Sequence, residues 1–239
     1  MKKRLDVLLV ERGLADSRSQ AQALVLAGRV RGHTKAGEQI DDAAELEVEE
    51  GPRFVSRGGE KLAHALEELE IDVTGEDCLD VGASTGGFTD CLLQAGAARV
   101  IALDVGYGQL HPRLREDPRV TVLERTNVRR LDCADLPFRP AFVTADVSFI
   151  SLAKALPPAL GCAAPDWRAL VLVKPQFEAG PSDVGKGGVV RDPEVRHRIR
   201  DEVVAQVPEW GGQLEAVVDS ALPGPKGNRE LFLYFTAAR

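Results

Sequence analysis

Apolar positions change period along this chain, and the changes mark its elements. Leu5, Leu8 and Leu9 fall on one stripe of a short helix over 4–12, with Gly13 just past its end. Ser17-Arg18-Ser19-Gln20 reads as a capping box, and Ala21, Leu24 and Val25 continue at helical spacing to Gly28. A second helix is therefore predicted over about 18–27. Two β-like pieces follow, Arg29–Arg31 and Glu45–Val48, before Gly51-Pro52 interrupts the chain. This gives a first domain over residues 1–50, a linker over 51–60 and a second domain over 61–239.

In the second domain, runs of strand length alternate with helical stretches. Helices are predicted near 60–70, 86–95, 151–160 and 192–206. Strands are predicted at 78–82, 99–104, 119–123, 141–146, 169–174, 214–219 and 230–236. Such alternation specifies an α/β fold with a doubly wound, mostly parallel sheet, the last strand running antiparallel. Ligands of such sheets sit at the carboxyl ends of the strands, beside the point where strand order reverses.

Composition adds little to this except through the distribution of charge. The net charge is −7 over 239 residues. Residues 1–35 carry eight Lys/Arg against three acids, and residues 36–60 reverse this with eight acids against two arginines. The basic patch is local to residues 1–35. No run of 18 apolar residues exists, and Glu11 and Arg12 interrupt the start before a leader's apolar region is complete. A cytoplasmic protein without membrane contact is expected. The four cysteines, Cys78, Cys91, Cys133 and Cys162, form no C-x-x-C pair and are expected to be buried, reduced thiols, with no metal bound.

The strongest local signal is the strand Cys78–Val81 breaking into Gly82-Ala83-Ser84-Thr85-Gly86-Gly87-Phe88. The glycines permit close backbone approach, and a helix opening near Gly87 presents unpaired N–H groups. The spacing is G-x-x-x-G-G, not the G-x-G-x-x-G of dinucleotide sites, and Asp80 sits in the strand end. An acid there suits a cationic ligand such as S-adenosylmethionine better than a pyrophosphate. Asp104 ends the next strand, followed by Val105, and is placed to accept from two ribose hydroxyls. Asn127 either contacts an adenine edge or holds its own turn.

Three charges bound apolar strands: Asp146 and Lys174 end theirs, and Glu230 opens the last one. In a doubly wound sheet the first two share an edge with Asp80 and Asp104, and an antiparallel final strand brings Glu230 there too. Lys61 lies at the margin of a helix whose buried stripe is Leu62, Ala65, Leu66 and Leu69.

Two resemblances follow. Through R-L-D-x-x-L, the S-R-S-Q-A run and A-G-x-V, residues 1–50 resemble the S-four-type RNA-binding domain, with Val30-Arg31-Gly32-His33 in place of its usual V-x-V-N-G turn. Along essentially its whole length, the chain resembles the hemolysin-A-like (TlyA-type) ribosomal RNA methyltransferases, relatives of the FtsJ-like 2′-O-methyltransferases. The resemblance is carried by V-S-R-G-G-E-K-L (55–62), D-V-G-A-S-T-G-G-F-T-D (80–90), D-V-G-Y-G-Q-L (104–110) and L-E-R-T-N (123–127). Further matches are D-V-S-F-I-S-L (146–152), V-K-P-Q-F-E (173–178), D-V-G-K-G-G-V-V-R-D (183–192) and G-N-x-E (227–230).

This resemblance implies a Rossmann-like class I methyltransferase domain that uses S-adenosylmethionine, and a catalytic K-D-K-E tetrad on Lys61, Asp146, Lys174 and Glu230. A ribose 2′-hydroxyl is a weak nucleophile and needs a positioned base. The resemblance makes Lys174 the leading candidate. The implied cofactor set is Asp80, Gly82, Ala83, Ser84, Gly86, Gly87, Phe88, Asp104, Val105, Asn127 and Asp146. Lys2, Lys3, Arg4, Arg18, Arg57, Lys186 and Arg191 are expected on RNA phosphates. The implied partner is ribosomal RNA or a ribosomal subunit, and the target a cytidine of the large subunit. The early Glu11-Arg12-Gly13 matches the family's shorter form, which argues against a small-subunit target.

Gly180 to Gly187 nearly spells the phosphate loop G-x-x-x-x-G-K-S/T but ends on a glycine, with no hydroxyl for magnesium. A basic loop that clamps RNA is expected instead. Two other classes compete: a non-enzymatic ribosome-assembly factor, which has no use for the Asp80, Asp104 and tetrad set, and a cytolysin, which needs an amphipathic or spanning segment absent from the sequence.

Overall fold

A computed structural model of the chain describes residues 2–49, 51–180, 183–185, 187–224 and 226–238. It divides into two compact units, Met1–Arg53 and Phe54–Arg239.

The first unit runs β1 (Lys2–Arg4), α1 (Leu5–Glu11), α2 (Arg18–Leu26) and β2 (Gln39–Asp41), with β1 antiparallel to β2 and Lys3 opposite Ile40. Ser17 caps α2, its Oγ accepting from the Gln20 amide at 3.2 Å, while Gln20 Oε1 accepts from the Asp16 amide at 2.6 Å. Leu5, Leu8, Leu9, Ala21, Val25, Val30 and Ile40 form its core. The two expected β pieces shrink to a single bridge between Val30 and Val48. The real strand pair was missed because Lys2-Lys3-Arg4 carries no apolar alternation and each strand has three residues.

The second unit begins earlier than expected, because residues 54–60 belong to its body. Phe54 is buried in its core and α3 spans Arg57–Glu68. There follow β3 (Asp77–Val81), α4 (Gly87–Gln94), β4 (Arg99–Leu103), α5 (Pro112–Arg115), β5 (Val120–Leu123), β6 (Phe142–Ala145) and α6 (Leu152–Gly161). The chain continues through β7 (Arg168–Val173), α7 (Pro175–Glu178), α8 (Pro193–Val204), β8 (Gly212–Asp219) and β9 (Leu231–Ala237). The seven strands form one sheet in the order β5-β4-β3-β6-β7-β9-β8, parallel except that β9 is antiparallel to both its neighbours. This is the mostly parallel, doubly wound α/β architecture expected from the sequence.

Alternation along the strands splits the core into two layers. Leu79, Val81, Ile101 and Val143 pack with α6 and α8 on one face, whereas Cys78, Val100, Ala102 and Phe142 pack with α3 and α4 on the other. Strand order reverses between β3 and β6, so the loops leaving these strands lie side by side. Leu231 opens β9 opposite Val173 at the end of β7, which carries Glu230 to the same edge as Lys174.

The expectation of four reduced thiols is corrected. Cys133, exposed in a one-turn 3₁₀ segment, is joined by a disulfide to buried Cys162 at the end of α6, the two Cα atoms 4.9 Å apart; Cys78 and Cys91 are buried thiols. Sequence separation of 29 residues gave no hint of this proximity. Among the described residues, no helix is long and apolar enough to cross a membrane, and no group of three or more His, Cys, Asp or Glu side chains is arranged to hold a metal ion.

Candidate active site

Two adjoining cavities open at the carboxyl edge where β3 and β6 meet. The larger, about 580 Å³, is lined by Gly82, Ser84, Asp104, Val105, Asn127, Asp146 and Phe149, with Leu103 and Val128 as apolar wall. The smaller, about 230 Å³, is lined by Arg57, Lys61, Ala83, Gly87, Phe88, Asp146, Lys174 and Glu230. Gly82, Ser84 and Asp146 border both.

The loop between β3 and α4 owes its course to close contacts. Gly82 has φ +86°, and a Cβ there would lie 2.7 Å from the Asp146 carbonyl oxygen, so only glycine lets the two strand-end loops touch. Ser84, with φ +50°, donates its amide to Asp104 Oδ2 at 2.8 Å, and Gly106 donates to Oδ1 at 2.6 Å. Asp104 thus ties the first two strand-end loops together while still bordering the large cavity. Asn127 Oδ1 accepts from the Arg129 amide at 3.1 Å, so it caps its turn and also lines the cavity. The two readings of this residue are compatible.

Asp80 is placed differently from its expected role. It is fully buried and turned towards α4, where its Oδ2 accepts from the Thr89 amide at 2.9 Å and the Thr89 hydroxyl at 2.7 Å. Burial, only partly offset by the Thr89 bonds, pushes its carboxyl up to about 7. Asp80 lines neither cavity and holds the start of α4 against β3. Gly86 likewise lines neither; a Cβ there would collide with the Leu114 side chain at 2.3 Å.

The four charged residues expected to act together do meet in the small cavity, as two ion pairs. Lys61 Nζ donates to Glu230 Oε2 at 2.5 Å, and both side chains are buried, at 6% and 2% exposure. Lys174 Nζ lies 2.5 Å from Asp146 Oδ1 and donates to Ser148 Oγ at 2.9 Å. Among the described residues, buried Glu230 Oε1 and Asp146 Oδ1 have no hydrogen-bond partner, acceptors costly to leave unsatisfied. Lys61 reaches this cavity because the start of α3 packs on the start of α4: a Cβ on Gly87 would lie 2.2 Å from Ser56 Oγ and 2.9 Å from the Gly59 nitrogen.

Sequence reasoning missed three participants. Phe149 is 93% exposed with φ +66°, a strained conformation for an aromatic residue, and leans on Phe177 with ring centroids 5.1 Å apart. Ser148 anchors Lys174. Glu178 Oε1 accepts from the Leu152 amide at 2.8 Å and supplies the cap that Ser151 does not. The first two stand inside D-V-S-F-I-S-L, but neither lies on a periodic stripe that would single it out.

The expected RNA-contacting cations belong to both units. In the first unit Arg4 Nη2 and Arg18 Nε lie 2.9 and 3.0 Å from Asp6 Oδ2, which also accepts from Gln22 at 2.9 Å. These bonds, Arg4 foremost, hold the Asp6 carboxyl well below the usual range. Asp6 is fully buried, but the guanidinium side chains stay 41% and 55% exposed. Lys3 pairs with Glu11 at 2.7 Å, and Lys2 is exposed. In the second unit Arg57 and Arg191 are exposed. Lys186 lies outside the described residues.

Residues 54–237 match the model for FtsJ-like methyltransferases, and residues 3–31 that for the S4 domain. The chain is 51% identical over 237 residues to the 16S/23S rRNA (cytidine-2′-O)-methyltransferase TlyA of Mycobacterium tuberculosis, covering 97% of this chain and 88% of the relative. A solved structure of a candidate hemolysin from Streptococcus thermophilus is 40% identical with a TM-score of 0.77, covering 99% of this chain and 89% of the other. Fibrillarin of Aeropyrum pernix, solved with bound S-adenosylmethionine, shares the fold alone, at 19% identity and a TM-score of 0.53 over 73% of this chain and 74% of its own.

Proposed function

The chain belongs to the FtsJ-like methyltransferase family, and from that premise we propose that it transfers a methyl group from S-adenosylmethionine to the ribose 2′-hydroxyl of a cytidine in ribosomal RNA, in the large subunit. The observation that carries the reading is the junction of the two cavities at Asp146, with Lys61, Lys174 and Glu230 converging on the smaller one.

The residues present fit the cofactor. The larger cavity falls in the usual range for small-molecule sites, and its lining sets the carboxylates Asp104 and Asp146 beside Ser84, Asn127 and an apolar wall, with Arg129 and Lys154 also bordering it. Asp104 would take the ribose diol, Asn127 and Val105 the adenine, and the Gly82–Ser84 backbone the amino-acid end. When bound, S-adenosylmethionine supplies the methyl group on an electrophilic sulfonium.

The chain's own residues manage the nucleophile. Lys174 Nζ donates to Ser148 Oγ and lies 2.5 Å from Asp146 Oδ1, which together aim the amine; as the neutral amine it carries a lone pair that takes the 2′-hydroxyl proton. Glu230 Oε1, held by Lys61 through its other oxygen, is available to accept from a ribose hydroxyl and orient the sugar. Phe149 offers an exposed ring at the rim for stacking on an unpaired base. Arg4, Arg18, Arg57, Lys186 and Arg191 serve phosphates, which position the RNA without reading its sequence.

The test is nucleoside analysis after incubating the protein and S-adenosylmethionine with unmodified large and small ribosomal subunits. 2′-O-methylcytidine should appear in the large-subunit RNA. A methylated base, or no methylated nucleoside, would contradict the proposal.

A further inference from the structure

Asn228 is buried, at 3% exposure, two residues before Glu230. Its carboxamide is spent on the backbone of the glycine-rich segment that follows α7. Asn228 Oδ1 accepts from the Val190 amide at 2.9 Å, and Nδ2 donates to the Gly188 carbonyl at 2.9 Å. Gly188 and Val190 flank Val189, so the side chain pairs with the edge a strand would offer. It therefore adds a rung to the hairpin closed by the Gly185–Val189 bridge. Val190 itself is 2% exposed and packs in the core layer with α6 and α8, so this rung is fixed on the loop side.

The other side of the rung is the turn that delivers Glu230. The Asn228 carbonyl accepts from the Gly224 amide at 2.9 Å, and the Glu230 carbonyl accepts from the Ser220 amide at 2.9 Å. Gly224 passes so close to the carboxylate that a Cβ there would lie 2.3 Å from Glu230 Oε1. The 220–230 turn, the glycine-rich segment and the Lys61–Glu230 pair thus form one hydrogen-bonded unit. A buried amide resists separation from its partners, because each unpaired group would be left desolvated.

We propose that Asn228 is a positioning residue for methyl transfer: it couples the backbone of residues 188–190 to Glu230, so that docking of this loop sets the Lys61–Glu230 pair. The inference rests on the methyltransferase reading above. RNA that presses on the loop would, through Asn228, act on the orientation of Glu230 without touching it.

The test uses the full chain carrying Asn228→Ala, Glu230→Gln and both together. Native-state hydrogen exchange should show the Val190 amide of Asn228→Ala exchanging about tenfold faster or more once its acceptor is gone. Calorimetry should give S-adenosylmethionine affinity within about twofold of wild type, because Asn228 does not border the larger cavity. Single-turnover transfer to ribosomal RNA should fall roughly 10- to 100-fold, the scale of a small misplacement at a reacting centre. In the Glu230→Gln background, adding Asn228→Ala should cost less than about threefold, since both act through one group. Equal losses in the two backgrounds, or full transfer despite faster Val190 exchange, would overturn the inference and leave the methyltransferase reading standing. Wild-type protein inert towards RNA would overturn that reading and this inference with it. If Asn228→Ala does not fold, Asn228→Ser carries the same cycle.

Discussion

Replacing Gly87 by alanine adds one methyl group where α3 and α4 meet, and the structure gives the size of the disturbance. The new Cβ would lie 2.2 Å from Ser56 Oγ and 2.9 Å from the Gly59 nitrogen. Ser56 can rotate away, but the Gly59 nitrogen is backbone within α3 and moves only with the helix. Restoring an ordinary separation of about 3.5 Å requires the start of α3 to retreat by roughly 0.6 Å. Overpacking of this kind costs about 1–3 kcal/mol. Lys61 sits two residues further along α3, 2.5 Å from Glu230, so the retreat pulls the amine from its partner. Since about 1 Å of misplacement can cost 100-fold in rate, methyl transfer should fall roughly 10- to 100-fold. Cofactor affinity should hardly change, because Gly87 does not line the larger cavity. Calorimetry, thermal melting and labelled-methyl transfer measure the three effects separately. Adding Ser56→Ala removes the shorter contact and should recover part of the stability while leaving most of the activity loss. Full transfer by Gly87→Ala, or a loss confined to cofactor affinity, would refute the reasoning.

Four further outcomes are expected. The raised carboxyl of Asp80 contributes a destabilising term that is absent below about pH 4, grows as pH rises from 4 to 7 and levels off above; the shift from 3.8 to about 7 corresponds to roughly 4 kcal/mol. Asp80→Asn should lack this term, and a pH-independent difference between the two proteins in denaturant titrations would contradict it. Cys162→Ser opens a loop of 29 residues and should lower stability by about 3–4 kcal/mol in oxidising buffer but not in dithiothreitol, read by melting. Phe149→Gly removes an exposed, strained ring, so stability should stay within about 1 kcal/mol of wild type. The same variant should lose roughly tenfold in kcat/KM for RNA if the ring stacks a base, and no loss would remove Phe149 from the substrate site.

Much of the second unit was legible because its inner strands are buried on both faces and read as short apolar runs punctuated by glycine. Each predicted element there falls within a few residues of its place, and the antiparallel β9 brings Glu230 beside Lys174 as the pattern required. The tetrad's partition into Lys61–Glu230 and Asp146–Lys174 was not legible, since pairing depends on side-chain reach across strands and not on position along them. Asp80 shows the same limit more sharply. A strand-end acid adjoining a glycine loop suits a cationic ligand, but strand alternation points this one at Thr89 in the layer beneath. The first unit was harder because three-residue strands carry no period. The Cys133–Cys162 disulfide joins an irregular segment to a helix end, a proximity that no spacing rule encodes.

The central claim is that Lys174, held by Asp146 and Ser148, handles the proton of a ribosomal-RNA 2′-hydroxyl beside bound S-adenosylmethionine. The most direct measurement is transfer of labelled methyl from S-adenosylmethionine to separated, unmodified ribosomal subunits by wild-type protein and Lys174→Ala, with cofactor affinity measured in parallel. Wild-type protein should label the large subunit, and Lys174→Ala should bind cofactor comparably while losing at least about 100-fold in transfer. Equal incorporation by the two proteins would contradict the account.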